Sequence, residues 1–249
     1  MKIITISREF GSGGRELGKR LADILGFDYY DREIISAIAR SQGMDENYVE
    51  RALENHAWTR VPLTFRHSFS SGMIVQPAQV NLLLEQKRVI EGIAKAGKDC
   101  VIVGRNADVL LSDEKPFSIF VCAEMDAKVQ RCIERVDIGE TLSRKAIEQN
   151  IRRIDKNRAQ SREMIAGNKW GQGASYHISV NSSGWDMKEL APTVADFAIR
   201  WFERKSLKHN RQMASPEKGY KNQSPQRRLK KTDTSKNHPG EATKSSLKM

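Results

Sequence analysis

The sequence has no long hydrophobic run. No stretch of its 249 residues approaches the roughly 18 consecutive apolar residues that a membrane-spanning helix needs. Residues 1–6 lead directly into a strand pattern and do not form the apolar region of a signal peptide. These two absences exclude a membrane-spanning protein and predict a cytoplasmic one.

Cysteines are few, and motifs for metal ligands are absent. The three cysteines, Cys100, Cys122 and Cys132, have no CxxC spacing and lie in apolar or helical contexts typical of small core residues. No histidine has the HExxH spacing or a cysteine partner. The pattern favours a reducing compartment and predicts no protein-ligated metal site.

The positive charge is concentrated at one end of the chain. Lys and Arg number 42 against 31 for Asp and Glu, which gives a net charge of +11. Residues 205–249 hold 12 basic and three acidic side chains, so residues 1–204 are nearly neutral. The basic segment is rich in Lys, Ser, Asn and Pro, a composition that predicts a disordered tail.

Short apolar runs alternate with helical periods through residues 1–204. Strands are expected at 2–7, 27–31, 100–103, 117–123 and 177–181, with helices at 14–25, from about 32, at 80–96, over 128–162 with a break at 137–140, and at 187–204. Strands that are apolar on both faces favour a parallel sheet with helices on each side. The predicted fold class is therefore α/β.

A glycine-rich turn joins the first strand to the first helix. Such a turn presents backbone N–H groups and the positive end of the helix to an anion. The lysine of a Walker motif is missing, since Gly14 stands in its place and Arg15 follows. Glu16 stands where a serine or threonine would bind magnesium. The pattern alone leaves a purely structural turn open.

Several separated motifs together resemble the cytidylate kinase-like family, a branch of the P-loop nucleoside monophosphate kinases. They are ISREFGSGGRELGKRLA at 6–22, YYDREII at 29–35, CVIVGRNADVLL at 100–111, RRIDKNRA at 152–159 and YHISVNSS at 176–183. The resemblance covers residues 1 to about 203. It implies a three-layer P-loop kinase fold whose five-stranded parallel sheet has the order 2-3-1-4-5. It also implies a helical acceptor-binding insertion at about 31–78 and a lid at about 131–170 within a domain of residues 1–204, followed by the tail at 205–249.

The resemblance implies ATP and Mg²⁺ as cofactors. The expected cofactor-binding residues are those of the glycine-rich turn: Gly11, Ser12, Gly13, Gly14, Arg15 and Glu16. Arg15 is expected to replace the lysine because its planar fork suits phosphate. The alternative for Arg15 is an exposed cation in a first helical turn, which the helix dipole disfavours.

Arginines recur in the expected lid. Arg158 continues the apolar stripe of its helix, so the resemblance implies that Arg158 and Asp155 act at the phosphates. One of two neighbours, Arg152 or Arg153, is expected to join them, and Arg153 is placed with the catalytic residues. Arg131 and Arg135 are weaker lid candidates. A solvated charged face is the alternative for the whole set.

The acceptor site is expected beyond two strand ends. Carboxyl ends of strands face the ligand crevice in an open α/β sheet, which favours an acceptor phosphate at Gly104 and Arg105. Asn106 and Asp108 are candidates for the base or ribose. Asp31 and Arg32 follow the second strand, although Asp31 is equally well explained as a helix cap, and Arg105 as a surface residue.

The sequence thus predicts ATP-dependent phosphoryl transfer to a small phosphorylated acceptor, by default a nucleoside monophosphate such as CMP or dCMP. The missing lysine leaves a catalytically weak nucleotide-binding regulator as an alternative. A nucleic-acid-associated module acting through the tail is a second alternative. A homodimer stays open.

Overall fold

The fold is built on a parallel sheet, in a computed structural model that describes residues 1–54, 77–135 and 143–214. Its strands are β1 (Ile3–Arg8), β2 (Asp28–Tyr30), β3 (Cys100–Val103), β4 (Phe117–Cys122) and β5 (Ile178–Asn181). Their spatial order is β2-β3-β1-β4-β5, and every pairing is parallel. This confirms the predicted order 2-3-1-4-5.

The central strand β1 fixes the position of the site. Ile3 pairs with Cys100 of β3, and Arg8 at its other end pairs with Val121 of β4. Because the strands are parallel, the carboxyl ends of β1, β3 and β4 meet at one edge of the sheet. The residues that follow these strands are therefore neighbours in space.

Eight helices are present in the described ranges. They are α1 (Gly14–Leu25), α2 (Arg32–Gln42), α3 (Glu46–Glu54), α4 (Pro77–Lys95), α5 (Ala107–Leu110), α6 (Met125–Ile133), α7 (Arg144–Ala166) and α8 (Met187–Ala214). Single 3-10 turns occur at Ser112–Glu114 and Gly173–Ser175.

Two apolar clusters cover the two faces of the sheet. One packs α1 and α8 against the strands and includes Leu17, Leu21 and Ala198. The other packs α2, α3 and α4 against the opposite face and includes Ile38 and Ile90. These clusters produce the three-layer architecture. A small third cluster joins α6 to α7, so the lid helix has its own apolar contact with the body.

The last helix is longer than the sequence predicts. It continues to Ala214, so residues 205–214, assigned to a disordered tail, are helical. The Lys205 ammonium donates to the carbonyls of Glu114 and Lys115 and lies 5.3 Å from the centre of the Trp201 ring. These contacts anchor Lys205 to the body of the protein, and the helix continues past residue 204, where the sequence predicts its end.

Parts of the predicted tail, insertion and lid are not among the residues that the structure describes. Residues 215–249 of the expected tail, residues 55–76 of the expected insertion and residues 136–142 of the lid lie outside the described ranges. Among the helices that the structure describes, none combines the length and the apolar character required to cross a membrane.

Candidate functional site

The loop between β1 and α1 has a shape that only glycine supports at two positions. Gly11 and Gly13 have φ angles of +77° and +80°, in the left-handed region that disfavours other residues. A Cβ on Gly11 would also lie 2.9 Å from the carbonyl oxygen of Lys128. The hydroxyl of buried Ser12 donates to the Glu9 carbonyl at 2.8 Å. Ser12 therefore shapes the loop through its side chain.

The loop leaves backbone donors open. Among the hydrogen bonds of the described residues, none has the N–H of Gly11, Gly13 or Gly14 as donor. Leu17 is the first residue of α1 whose N–H donates back to the loop, to the carbonyl of Gly13 at 2.9 Å. Unpaired N–H groups at the start of a helix bind anions. The loop is thus arranged to hold phosphate oxygens.

Two clefts meet beside this loop. The loop cleft, of about 950 Å³ including its open mouth, is lined by Glu9–Gly11, Gly13–Arg15, Arg32, Glu50, Arg131, Cys132, Arg135, Arg8 and Arg158. The β3 pocket, of about 540 Å³ measured in the same way, is lined by Ser7, Leu53, Gln86, Gly104–Asn106, Asn157, Ser161, Trp170, Arg8 and Arg158. Of the residues that the structure describes, only Arg8 and Arg158 line both.

Arg15 is held by the aspartate that follows β2. Its Nε lies 2.5 Å from Oδ2 of Asp31, while the Arg15 side chain stays 53% exposed and lines the loop cleft. Asp31 is buried and stands at the cap position of α2. Its side chain makes no cap hydrogen bond. The cap explanation for Asp31 is therefore wrong for its carboxylate, which pairs with arginine instead.

Glu16 sits in the first turn of α1 and pairs with two arginines, Arg20 at 2.9 Å and Arg135 at 3.0 Å. Its carboxylate thereby links the start of α1 to the turn after α6. The described residues contain no group of three or more His, Cys, Asp or Glu side chains that could hold a metal ion. Magnesium is commonly bound by one or two carboxylates together with substrate phosphates. Glu16 is the acidic group in the first turn after the loop, but both of its carboxylate oxygens are paired with arginines and it does not line the loop cleft. Magnesium would therefore be held chiefly by the phosphates of a bound nucleotide.

A buried lysine connects the loop to the lid. Lys128 of α6 is 7% exposed and contacts Glu9 at 3.0 Å and Asp155 at 3.4 Å. Asp155 also accepts the N–H of Phe10 at 2.7 Å. Burial raises the pKa of Asp155, while this hydrogen bond and Lys128 oppose the rise. The trio fastens α7 directly onto the phosphate loop.

Arg158 is the lid arginine that the structure places at the site. It donates from Nη1 to the carbonyl of Arg8 at 3.1 Å and lies 5.8 Å from the centre of the Phe10 ring. Arg152 and Arg153 are instead exposed, and neither lines a cleft. Arg153 donates to Asn150 of its own helix at 2.8 Å.

Arg131 of α6 and Arg135, in the turn after α6, reach the loop cleft by different contacts. Arg131 donates to the carbonyl of Ser182 at 2.6 Å, which ties α6 to the end of β5. Arg135 is 54% exposed and pairs with Glu16 across the cleft. Both line the loop cleft, so the structure places them where the sequence expects lid residues.

The turn after β3 is strained. Gly104, Arg105 and Asn106 have φ angles of +78°, +58° and +53° in succession, which is uncommon for the two that are not glycine. Gln86 donates to the Arg105 carbonyl, and Asn106 donates to Ser161 of α7, both at 3.1 Å. Strain of this kind is concentrated at functional sites. Here it directs the turn into the β3 pocket.

Asp108 lies apart from that turn. Its carboxylate pairs with Arg162 at 2.5 Å, and the two side chains are 5% and 2% exposed. Residues two apart on a helix face different directions, so Asp108 on α5 turns away from the pocket lined by Asn106. Arg32, the other outlying candidate, is 68% exposed and pairs with Glu50 at 3.3 Å beside the loop cleft.

Arg8 occupies the space between the two clefts, although the sequence patterns do not single it out. Its side chain is 11% exposed and lies 3.7 Å from Asp31. A Cβ on Gly14 would lie 2.6 Å from Cβ of Arg8, and a Cβ on Gly104 would overlap Nη1. The two glycines therefore leave the room that this arginine fills.

A residue pattern was available for both residues that sequence reasoning missed. Arg8 ends a strand of buried residues at the ligand edge of the sheet, and Lys128 interrupts the apolar side of α6 next to Val129. A long cation on a face that otherwise packs inward indicates a paired or functional charge.

The comparison with protein families decides the classification. The family model described as the cytidylate kinase-like family matches residues 3–184. The chain belongs to this family. The matched residues include the loop, the turn after β3, and Arg8 and Arg158, which line both clefts. The match supports a kinase-type phosphoryl transfer and does not identify an acceptor. No curated protein sequence was found to match the chain.

Three solved structures are similar to the chain, and the first of them shows the same fold. An uncharacterized protein from Eubacterium ventriosum is 24% identical with a TM-score of 0.57, over 82% of this chain and 99% of that one. A shikimate kinase from Acinetobacter baumannii, solved with shikimate, is 12% identical with a TM-score of 0.47, over 80% and 94%. A gluconokinase from Sinorhizobium meliloti is 11% identical with a TM-score of 0.45, over 83% and 97%. Similarity below a TM-score of 0.5 identifies neither an acceptor nor a residue role here.

Proposed function

We propose that this protein transfers a phosphoryl group from ATP to a small phosphorylated acceptor, by first choice a nucleoside monophosphate such as CMP or dCMP. The observation that carries the proposal is the pair of clefts. One contains a loop with open N–H donors, the other lies at the carboxyl end of β3, and arginines line both. Phosphoryl transfer requires a donor and an acceptor held in line, with the charge of the transferring group neutralised.

The residues divide between the two partners. ATP would supply the phosphoryl group, and Mg²⁺ bound with it would neutralise part of the charge on its phosphates. The N–H groups of Gly11, Gly13 and Gly14 would hold donor phosphate oxygens, with Arg15 above them. Arg158 would contact the phosphates from the lid, where Asp155 keeps its helix on the loop.

The β3 pocket would hold the acceptor. Its carboxyl-end position suits a ligand, and an acceptor phosphate is a dianion that fits beside Arg105. Asn106 would contribute an amide to the ligand. Asp108 is committed to Arg162, so we expect it to support α7 from behind the pocket.

A coupled ADP-release assay across CMP, dCMP, UMP, AMP and small phosphorylated metabolites tests the proposal, together with ATP binding by calorimetry. Acceptor-dependent ADP release with one of these compounds supports it. ATP binding without release on any acceptor would support the nucleotide-binding regulator instead. The cytoplasmic location, the homodimer and a nucleic-acid role of the tail stay predictions.

A further inference from the structure

We propose that Arg8 is a catalytic residue that contacts the phosphoryl group as it passes between the loop cleft and the β3 pocket, in the charge role that a phosphate-loop lysine would have. This inference rests on the proposed function. Its chemical content is one guanidinium fork directed at phosphate oxygens, which such a fork can bind with two parallel hydrogen bonds.

Position is the first support. Arg8 and Arg158 are the residues that the two cleft linings share. Their side chains therefore border both clefts, where a group transferred from one to the other would pass. Arg8 is also anchored at the last position of β1, a rigid strand, whereas Arg158 belongs to the lid helix.

The second support is the room made for the side chain. Both glycines that flank it, Gly14 in the loop and Gly104 after β3, lack the Cβ that would collide with Arg8. Gly14 belongs to the first cleft and Gly104 to the second. The guanidinium is thus fitted between the donor and acceptor sides.

Charge balance is the third support. Arg8 faces three other arginines, Arg15, Arg105 and Arg158, and one carboxylate, Asp31. That carboxylate is already paired with Arg15 at 2.5 Å and lies farther from Arg8, at 3.7 Å. Burial, and next the neighbouring Arg158, lower the pKa of Arg8 to about 9. A cluster with this excess of positive charge is stabilised by binding an anion.

Other cations of the site are already matched by carboxylates. Lys128 contacts Glu9 and Asp155, Arg162 contacts Asp108, and Arg135 contacts Glu16. Among the carboxylates of the described residues, Arg8 has only the longer contact to Asp31, which is shared with Arg15. It is therefore the buried cation best placed to gain from a phosphate.

The test compares Arg8→Met, Arg8→Lys and the control Arg88→Met, whose side chain is 83% exposed on α4. Charge-assisted hydrogen bonds predict a loss in kcat of about 10- to 100-fold for Arg8→Met. We expect the dissociation constant of ATP to rise about tenfold, because the ATP phosphates reach the same guanidinium, and Arg8→Lys to recover part of kcat. A kcat for Arg8→Met equal to that of the control would overturn the inference while the proposed function stands.

If the wild-type protein shows no turnover, the proposed function is refuted, but the role of Arg8 can still be tested by a binding experiment. Inorganic tripolyphosphate is long enough to reach from the loop to the shared arginines, and calorimetry measures its affinity without turnover. Arg8→Met should weaken it about tenfold relative to Arg88→Met. Equal affinities in folded proteins, verified by thermal melting, would overturn the assignment of Arg8.

Discussion

Arg15 and Asp31 form an ion pair, with Nε 2.5 Å from Oδ2, between the first turn of α1 and the residue that follows β2. The pair joins the loop to the start of the expected acceptor-binding insertion. It also means that the arginine expected to replace the lysine is already occupied by a carboxylate.

Arg15→Met should therefore affect binding more than chemistry. We expect the dissociation constant of ATP to rise about tenfold and kcat to fall less than in Arg8→Met. The fold should be retained because half of the side chain is exposed. Calorimetry and steady-state kinetics measure both quantities. A loss of kcat greater than that of Arg8→Met would return the central role to Arg15.

Gly104→Ala should disturb the site through Arg8. The added Cβ would overlap the Arg8 guanidinium in a backbone conformation with φ of +78°. Gly97→Ala is the matched control, because Gly97 has φ of +75° and no neighbour within 4 Å of the added atom. Both should lose about 1 kcal/mol of unfolding free energy from backbone strain.

Only Gly104→Ala should also lose kcat, by about tenfold or more, since it displaces the arginine proposed to act there. Thermal unfolding and steady-state kinetics separate the two effects. Equal kcat in both variants would show that the position of Arg8 does not matter to turnover.

Removing the buried lysine should loosen the lid. Lys128→Met leaves Glu9 and Asp155 without their shared cation and should cost about 3 kcal/mol of unfolding free energy. Lys87→Met, at a side chain 53% exposed, should change it by less than about 0.5 kcal/mol. Urea unfolding gives both values. The double variant Lys128→Met/Asp155→Asn should regain part of the loss, and strict additivity would argue against the pair.

Asp108→Asn separates a structural role from a substrate-binding one. The pair with Arg162 is almost fully buried, so its disruption should lower the unfolding free energy by about 3 kcal/mol. Asp113→Asn, at an exposed position, is the control. The KM for the acceptor should stay within about threefold of the wild type, because Asp108 does not line the β3 pocket. A large rise in KM at unchanged stability would restore the substrate-binding role expected from the sequence.

Activity should fall on the alkaline side. Burial and Arg158 hold the pKa of Arg8 at about 9, against the opposing attraction of Asp31, with Arg105 and Arg15 adding to the lowering. Protonated Arg8 predominates below that pH in the free protein and the neutral form above it, so kcat/KM should decline as the pH rises through about 9. A pH profile of kcat/KM checks this. The decline should disappear from the residual activity of Arg8→Met.

Much of the fold could be predicted because its signals are local. The apolar period of α1 and the glycine that ends it gave the bounds Gly14–Leu25, and the buried run of β3 gave Cys100–Val103, as the structure has them. The end of α8 could not be predicted in the same way. Lys205, at the start of the expected tail, is held by the carbonyls of Glu114 and Lys115, which lie 91 and 90 residues away in sequence.

The parts of the site that depend on backbone shape could be predicted from the sequence, and the parts that depend on side-chain partners could be predicted less well. The glycines of the loop and of the turn at Gly104 can be recognised from the sequence by residue type alone. The partner of Asp108 comes from α7, 54 residues away, and no spacing rule connects the two. The predicted strand ends at residue 7, before Arg8, and the place of the Arg8 side chain depends on Gly14 and Gly104, glycines from two other segments.

The most direct test of the central claim follows the label from γ-labelled ATP, because ADP release alone also reports hydrolysis. With magnesium and CMP or dCMP present, the account predicts that label appears in the corresponding diphosphate and that little appears as inorganic phosphate. Label that stays in ATP, or appears only as inorganic phosphate with every phosphorylated acceptor tested, would contradict it.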